Sequence, residues 1–247
     1  MPIFLDELTT EEARALGRNS VAIVPVGSVE PHGPHLPLGT DTTISVEASV
    51  RAVALLAARG VEALVAPSIP YGVTDYARGF PGALSIPPAV LTGFLQAVVH
   101  ALLGEGFSHV CLVNNHLEPA HDEAVRAAVL GFPEGRASVA CPLTRRWART
   151  LSDEFKRGDC HAGRYETSLV LAAKGNVRDV RAELPTLTIS LATEIKAGKS
   201  TFREMGIDRA YTGAPAEGTR EEGEALYAKL AEMIATEVTE AIAKQSL

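Results

Sequence analysis

Short apolar runs alternate with longer amphipathic segments along most of the chain. The apolar runs cover residues 20–26, 61–67, 109–115 and 137–142, and they are continuous rather than alternating in polarity. Continuous apolar runs of this length predict strands that are buried on both faces. Because helical segments separate the strands, the pattern predicts an α/β fold of three layers, α/β/α, with a mostly parallel central sheet.

The longer segments have the 3.6-residue periodicity of amphipathic helices. They cover residues 42–59, 87–103, 119–130, 142–156, 164–173 and 219–244. The stretch "TTEE" indicates an earlier helix, because a threonine N-cap is followed there by a glutamate three residues later, and Gly17 and Gly60 stand where left-handed C-caps are expected. Residues 175–218 are rich in loops but carry no linker signature, so a single domain over residues 1–247 is predicted.

Composition narrows the choice of partner. The chain has 247 residues, 46% of them hydrophobic, and a formal net charge of -7. An acidic surface does not favour a nucleic-acid backbone or an anionic membrane, so a small molecule is the expected partner. The acidic N-terminus lacks the features of a signal peptide and no apolar run is long enough to span a bilayer, which predicts a cytoplasmic protein. Cys111, Cys141 and Cys160 form no CxxC pair, which argues against a disulfide framework or a cysteine zinc site.

Metal-capable side chains follow two of the predicted strands. They are Glu30, His32, His35 and Asp41 after the first strand, and His116 and Glu118 after the third. In an open parallel sheet, ligands bind beyond the carboxyl ends of the strands, so the two groups are expected to meet. The i, i+2 spacing within Glu30/His32 and within His116/Glu118 puts both members of a pair on the same side of an extended chain.

With His35 left aside, these residues predict a site for two metal ions. One loop glutamate or histidine is more often a solvated or capping group, but the combined pattern is not expected by chance. A catalytic zinc needs only three protein ligands, whereas five ligands that include carboxylates suit two ions bridged by one aspartate. Asp41 is the expected bridge, because it stands beside a helix N-terminus, whose dipole favours a carboxylate. Nitrogen and oxygen donors favour zinc, with manganese or iron as alternatives. His35, between two prolines, is expected to support the loop or to contact substrate.

The chain resembles the creatininase family in four segments, in the order and spacing typical of that family. They are "VPVGSVEPHGPHLPLGTD", "FPGALSI", "LVNNHLEP" and "HAGRYETS". The resemblance implies an α/β/α fold with a dinuclear metal site that hydrolyses a carbon–nitrogen bond of a creatinine-like, formamide-type or short peptide-like substrate. It also implies that Glu30, Asp41 and His116 hold one ion, that His32, Asp41 and Glu118 hold the other, and that the protein is a homohexamer.

The segment "CHAGRYETS" adds groups for proton transfer. His161, on a glycine-containing turn, is expected to have a pKa near neutrality and to protonate the leaving nitrogen. Glu166 is expected to orient His161 or to assist this transfer, and Glu118 completes the predicted catalytic residues. In the predicted mechanism, a metal-bridging water loses a proton and the resulting hydroxide attacks the amide carbonyl.

Four residues are candidates for substrate contacts. By the resemblance, Arg157 stands where creatininase has a tryptophan, Trp147 is the only tryptophan of this chain, and Tyr76 and Arg78 come from the loop before the FPG turn. An arginine in place of an aromatic residue exchanges a π-surface for a fixed positive charge, so an anionic amide is expected as readily as creatinine.

Two other functions remain open from the sequence. One is a dinuclear lactonase or phosphoesterase, and the other is a non-catalytic metal-binding regulatory protein on the same fold. The presence of five ligands together with His161 favours an enzyme, because a binding protein needs no proton donor beside its metal.

Overall fold

Four parallel strands form the centre of the fold in the computed structural model, which describes residues 3–16 and 19–246. They are β1 (Val21–Val26), β2 (Ala63–Val65), β3 (His109–Asn114) and β4 (Ala137–Ala140), and they lie in the order β2-β1-β3-β4. Each strand lies within the run that predicted it, and all three pairings are parallel. The predicted α/β fold with a parallel sheet is therefore confirmed.

Helices connect the strands and cover them. The α-helices are α1 (Thr10–Arg14), α2 (Thr40–Ala58), α3 (Pro88–Gly104), α4 (Pro119–Ala127), α5 (Arg145–Ala148), α6 (Asp153–Arg157), α7 (Arg164–Ala172), α8 (Leu191–Lys196) and α9 (Arg220–Ala243). Short 3-10 helices cover Leu5–Glu7, Asp179–Glu183, Pro215–Glu217 and Lys244–Ser246. Thr9 and Glu12 form the predicted capping box, Gly60 has the expected left-handed φ of 76°, and Gly17 lies outside the described residues. None of the helices in the described ranges is long and apolar enough to cross a membrane.

The single helix predicted over residues 142–156 is wrong, because this segment forms two short helices. The side chain of Ser152 accepts a hydrogen bond from the N–H of Phe155 at 3.2 Å and so begins α6 as its N-cap. Trp147 of α5 and Phe155 of α6 both pack on the same apolar layer. The continuous amphipathic pattern therefore reflects a shared buried face rather than one helix.

Alternate residues of each strand pack into two apolar layers on opposite faces of the sheet. Val21 and Ile23 of β1 pack with residues of α2, α7 and α9, whereas Ala22 and Val24 pack with residues of α3 and α4. This division follows from the two-residue period of a strand. Both faces of the parallel sheet are thereby covered, which gives the three predicted layers.

The carboxyl ends of β1 and β3 lie side by side where the strand order changes direction. Val26, the last residue of β1, pairs with Asn114, the last residue of β3. From β1 the chain crosses through α2 to β2 on one side, and it returns through α3 to β3 on the other side. Such a switch point opens a crevice beyond the strand ends, and the loops that carry Glu30 and His116 begin there.

The long segment between α7 and α9 contains α8 and a small apolar cluster. Phe202, Met205 and Ile207 are buried in this cluster, and Leu191 and Ile195 of α8 pack against it. The segment supplies part of the wall of a cavity at the switch point.

Candidate metal centre

The loop between β1 and α2 brings Glu30 and His32 to the start of α2. A hydrogen bond from the N–H of Glu30 to the carbonyl of Leu38, at 3.0 Å, closes the loop on itself. Gly33 has a φ of 63°, which favours glycine because it has no Cβ. Asp41 lies in the first turn of α2, where the helix dipole stabilises a carboxylate. The loop therefore holds two predicted ligands, Glu30 and His32, beside a third, Asp41.

The side chains of five residues meet in one buried cluster, and none of them is more than 3% exposed. Asp41 Oδ1 lies 3.2 Å from His32 Nε2, and Asp41 Oδ2 lies 3.0 Å from His116 Nδ1. Glu30 Oε1 lies 3.2 Å from the same His116 nitrogen. Glu166 Oε2 lies 3.4 Å from the same His32 nitrogen. The cluster thus has two groups that share Asp41, one with Glu30 and His116 and one with His32 and Glu166, and Glu30 and His32 also lie together with His161.

Each histidine of the site directs one ring nitrogen to a backbone carbonyl and the other to the carboxylates. The carbonyl contacts are His32 Nδ1 to Glu30 at 3.1 Å, His116 Nε2 to Val73 at 2.7 Å and His161 Nε2 to Pro31 at 3.1 Å. A carbonyl oxygen only accepts hydrogen bonds, so these nitrogens carry the proton. The nitrogens that face the cluster then have a lone pair when the rings are neutral, as in histidines that bind metals.

The cluster holds polar atoms that it does not satisfy internally. Within the described part of the chain, His32 Nε2 and Asp41 Oδ2 are buried and have no hydrogen-bond partner beyond the ion-pair contacts given above. Glu30 and Glu166 add two buried carboxylates to that of Asp41. Two divalent cations would provide further partners and offset the negative charges that the three carboxylates carry when ionised. Because the donors of both groups are nitrogen and oxygen, the residues present fit a pair of ions such as zinc or manganese.

The pKa values of the cluster show how strongly it attracts positive charge. Burial disfavours a charged His32, yet the carboxylates of Asp41 and Glu166 raise its pKa to about 10. Burial also disfavours a charged His116, yet Glu30 and Asp41 raise its pKa well above the ordinary value. Burial opposes ionisation of Glu30, but His116 lowers the pKa of this carboxyl to about 2. In the metal-free protein, protons therefore occupy the histidine nitrogens that would otherwise bind a metal.

Glu118 borders the cluster but belongs to neither of its two groups among the described residues. Its carboxylate oxygens accept hydrogen bonds from the N–H groups of Asp75 at 3.0 Å and Tyr76 at 3.2 Å. Glu118 is the residue immediately before α4, and its side chain is turned to this neighbouring loop. Burial raises the pKa of Glu118 to about 7, against the lowering effect of His116.

Glu166 occupies the place in the cluster that the sequence led us to expect for Glu118. Its Oε2 accepts a hydrogen bond from the N–H of Ala162 at 2.6 Å and completes the group with His32 and Asp41. Burial raises the pKa of Glu166 to about 8, against the lowering effect of His32. In this structure Glu166, and not Glu118, is grouped with His32 and Asp41, and which of the two glutamates binds a metal stays a prediction.

His161 begins a turn with a rare backbone geometry. The next residue, Ala162, has a φ of 49°, which costs free energy in a residue with a side chain. The turn is held by the buried carboxylate of Glu154, which accepts the N–H of Tyr165 at 2.9 Å. A Cβ on Gly163 would collide with this carboxylate, so the glycine of the HAG motif provides the space for it.

The His161 ring lies between two other rings in the site. Its centroid is 4.6 Å from that of His32 and 4.6 Å from that of Phe202, and its Nδ1 lies 3.7 Å from Glu30 Oε1. Burial, together with the charge on His32, lowers the pKa of His161 to about 4. The expected pKa near neutrality is therefore wrong. At pH 7 the neutral ring carries no proton on the nitrogen that faces the cluster.

A cavity of about 340 Å³ opens onto the cluster, and this volume suits a small ligand. Both groups of the cluster contribute to its wall, together with Glu118 and His161. The rest of the wall is largely apolar, and its larger apolar side chains are those of Leu117, Leu143, Phe155, Leu191, Ile195 and Phe202. A bound molecule would therefore have a polar end at the cluster and an apolar part against these side chains.

Of the four predicted substrate contacts, Tyr76 lies in the cavity wall, and the other three lie outside it within the described structure. These three are held by partners elsewhere: Arg78 by Asp75 at 3.0 Å, Trp147 by Glu237 at 2.6 Å and Arg157 by Asp159 at 3.3 Å. The ion pairs and the indole hydrogen bond hold these side chains at positions outside the described wall.

Other residues that support the site carry no local sequence signal. The hydroxyl of Thr74 donates to Glu30 Oε2 and leaves Oε1 for the cluster. His35 Nε2 lies 3.0 Å from Thr167 Oγ1, so His35 supports the loop and is not in the described cavity wall. Phe202 reaches the wall from the loop-rich segment. These residues are distant in sequence from the groups they contact, so spacing does not reveal them.

Comparison with known proteins agrees with this geometry. Residues 6–238 match the Creatininase family, described as creatinine amidohydrolase. The chain is 30% identical over 222 residues to the mycofactocin precursor peptide peptidase of Mycolicibacterium smegmatis, and the match covers 85% of this chain and 81% of that protein.

Solved structures of creatininases share the fold. One described as "Creatininase Mn" has a TM-score of 0.74 at 22% identity, with 97% of this chain and 98% of that chain covered. A creatininase variant of the "Zn-Zn type" has a TM-score of 0.71 at 21% identity, with the same coverage of 97% and 98%. The family match extends over nearly the whole chain and includes every residue of the cluster. The chain therefore belongs to the creatininase family of amidohydrolases.

Proposed function

We propose that this protein hydrolyses a carbon–nitrogen bond of a small, peptide-like amide with two divalent metal ions. The observation that carries the proposal is the position of Asp41, which directs one carboxylate oxygen to each of two groups of buried donors. Glu30, Asp41 and His116 would hold one ion, and His32, Asp41 and Glu166 the other. Zinc suits these donors best, with manganese or iron as alternatives. When bound, such ions are Lewis acids that lower the pKa of water and polarise a carbonyl.

Glu118 is the proposed proton carrier of the reaction. Its carboxylate borders the same cavity as the cluster, and two backbone N–H groups fix its orientation. A carboxyl with a pKa of about 7 can take the proton of the attacking water and return it to the leaving nitrogen at neutral pH. The nitrogen needs this proton, because an amide anion is a poor leaving group. Glu118 thus takes the role that the sequence suggested for His161.

His161 is proposed to orient the substrate instead of donating a proton. Its Nε2–H bonds to the carbonyl of Pro31, and this contact fixes the ring. The Nδ1 lone pair then faces the cavity side of the cluster, where it can accept a hydrogen bond from a substrate N–H. Packing against Phe202 keeps water away from one face of the ring.

An apolar, peptide-like amide fits the cavity better than a flat cation such as creatinine. The wall beyond the cluster is largely aliphatic and aromatic. Trp147 is the only tryptophan of the chain and is bonded to Glu237 outside this wall, so no indole is available as a stacking surface. The similarity to a protein named as a precursor peptide peptidase supports the same substrate class.

The reaction is tested with protein that has been stripped by a chelator and reloaded with zinc or manganese. The panel contains creatinine, N-formyl amino acids and short peptides, together with a lactone and a phosphate monoester. We expect amine release from a peptide-like amide, lost after chelation and restored by metal. Turnover of the lactone or the phosphate ester alone would contradict the proposal. Tight metal binding without any turnover would favour a non-catalytic metal-binding protein.

Two matched variants separate the roles of the two glutamates. Glu118→Gln is expected to lower kcat by about 10²- to 10⁴-fold, the usual cost of losing a general acid–base group, while both ions remain. Glu166→Gln is expected to lose one ion, because it removes a charged donor. Metal analysis alongside kinetics measures both effects. The reverse pattern, with an ion lost only in Glu118→Gln, would restore the ligand set implied by the family resemblance.

The single domain over residues 1–247 and the homo-oligomer stay predictions. Sedimentation velocity of the metal-loaded protein measures the oligomeric state. One cooperative unfolding transition would support a single domain.

A further inference from the structure

One face of α8 forms part of the cavity wall. Its members in the wall are Leu191, Ala192, Ile195 and Lys196. Residues at positions i, i+1, i+4 and i+5 lie on the same side of a helix. Leu191 and Ile195 also pack against the apolar cluster that contains Phe202, which is itself in the wall. Lys196 is therefore a charged residue on the face of α8 that is turned to the cavity.

Lys196 has no protein partner for its charge. Across residues 3–16 and 19–246, no carboxylate lies within ion-pair distance of it, and no other lysine or arginine contributes to the described cavity wall. Lys199, one turn further along the chain, forms an ion pair with Glu194 instead. The two lysines thus differ in charge pairing and in position: Lys199 is paired with a carboxylate and lies outside the described cavity wall, whereas Lys196 lies in that wall without an ion-pair partner among the described residues.

The cavity offers a substrate three kinds of contact. Its cluster would hold the amide, its apolar side chains would hold a hydrocarbon group, and Lys196 would attract a negative charge. An ammonium on a flexible four-carbon stem acts as a mobile point charge, and its methylene groups can lie along apolar neighbours such as Ile195. A carboxylate is the anionic group that an amide built from amino acids carries at its C-terminus.

We propose that Lys196 is a specificity-determining residue that binds the free carboxylate of the substrate. The preferred substrate is then an N-acyl amino acid or a short peptide with a free C-terminus and an apolar side chain. This inference rests on the proposed amide hydrolysis and adds to it a named selectivity. A hydrogen bond from Lys196 to a charged group should favour the acid over a neutral analogue by about tenfold to a hundredfold.

The test uses pairs of compounds that differ only in this charge. The probes are N-formyl-phenylalanine, N-acetyl-phenylalanine and leucyl-phenylalanine, each with its C-terminal carboxamide. In the zinc-loaded wild type, kcat/KM is expected to be about tenfold to a hundredfold higher for the acid than for the carboxamide. Lys196→Met keeps the apolar stem without the charge and is expected to bring this ratio to about one. Lys196→Arg should restore most of the preference, and Lys199→Met is the matched control that keeps the wild-type ratio.

A wild-type ratio near one, or a ratio that Lys196→Met leaves unchanged, would overturn the inference while amide hydrolysis itself stands. If no amide of the panel is hydrolysed, the proposed function fails. The role of Lys196 is then tested by ligand binding alone. Isothermal titration of each pair into metal-free protein avoids any contact between carboxylate and metal. Tighter binding of the acid that is lost in Lys196→Met, but not in Lys199→Met, supports the carboxylate site, and equal affinities for acid and carboxamide overturn it.

Discussion

Asp41→Asn is the substitution that most sharply perturbs the proposed centre. It keeps the shape of the side chain and removes the charge that lies 3.2 Å from His32 Nε2 and 3.0 Å from His116 Nδ1. In the proposed centre this carboxylate would hold two cations at once, so a single change of charge would affect both. Removal of an ordinary ligand would affect only one.

The size of the effect follows from simple electrostatics. A pair of unit charges about 4 Å apart is worth roughly 4 kcal/mol at an effective dielectric constant of about 20, or about a thousandfold in affinity. The amide oxygen of asparagine is a neutral metal ligand and would recover part of this free energy. We therefore expect each ion to bind at least about a hundredfold more weakly in Asp41→Asn.

Metal analysis and thermal unfolding measure this loss. At free zinc about 100 times the wild-type Kd, one site stabilises the wild type by about 2.7 kcal/mol, and a hundredfold weaker site contributes about 0.4 kcal/mol. For a chain of this size, 1 kcal/mol shifts Tm by about 2–4 °C. The wild type should hold about two ions and gain at least about 5 °C per site, while Asp41→Asn should gain almost nothing.

The matched control is Asp122→Asn, which removes a carboxylate with 15% exposure that is paired with Arg126 and lies outside the cluster. It should keep both ions and the full zinc-dependent shift in Tm. Two ions and a wild-type shift in Asp41→Asn would refute the assignment of Asp41 as the bridge.

Two further predictions concern proton linkage and packing. A pKa of about 10 for His32, raised from 6.5, contributes stability that is complete below pH 6.5 and lost as pH rises through about 10. The Tm of the metal-free protein should therefore fall as the pH rises from 7 to 10, while the increase in Tm on adding zinc should become larger. A metal-free Tm that rises over this range would contradict the linkage. In Gly72→Ala the new Cβ would collide with His121, which should cost about 1–3 kcal/mol in urea unfolding. Gly93→Ala, in open space on α3, should instead stabilise by about 0.5–1 kcal/mol, and equal effects of the two would contradict the packing.

The cluster residues that come from one loop could be predicted from the sequence. Glu30, His32 and Asp41 follow a buried strand, and glycine and proline residues hold the intervening chain in a fixed path. His116 was found by the same reasoning, because parallel strands end at the same edge of the sheet. The inference needed only the strand order and the position of the switch point.

The second glutamate was not within reach of spacing. The i, i+2 rule holds while the chain is extended, and at Glu118 the chain turns into α4. Glu166 arrives on α7, whose place is set by packing of Tyr165 and Leu169 in the layer shared with α9. Long-range packing of this kind produces no sequence pattern near the other residues of the cluster.

The cavity wall was missed for a related reason. Phe202 and Lys196 belong to a segment without helical or strand periodicity over most of its length, so they could not be assigned to a buried or exposed face from the sequence alone. Arg157 was a candidate because of its position before the HAG motif, but it is paired with Asp159 and lies outside the described cavity wall. The sequence therefore predicted most of the buried polar cluster, but it did not predict which residues line the cavity wall.

Anomalous diffraction from crystals of the zinc-loaded protein tests the central claim most directly. Two zinc peaks per chain are predicted on either side of Asp41, one bonded to His116 and the other to His32 and Glu166. A single peak, or a second ion bonded to Glu118 in place of Glu166, would contradict this account of the site.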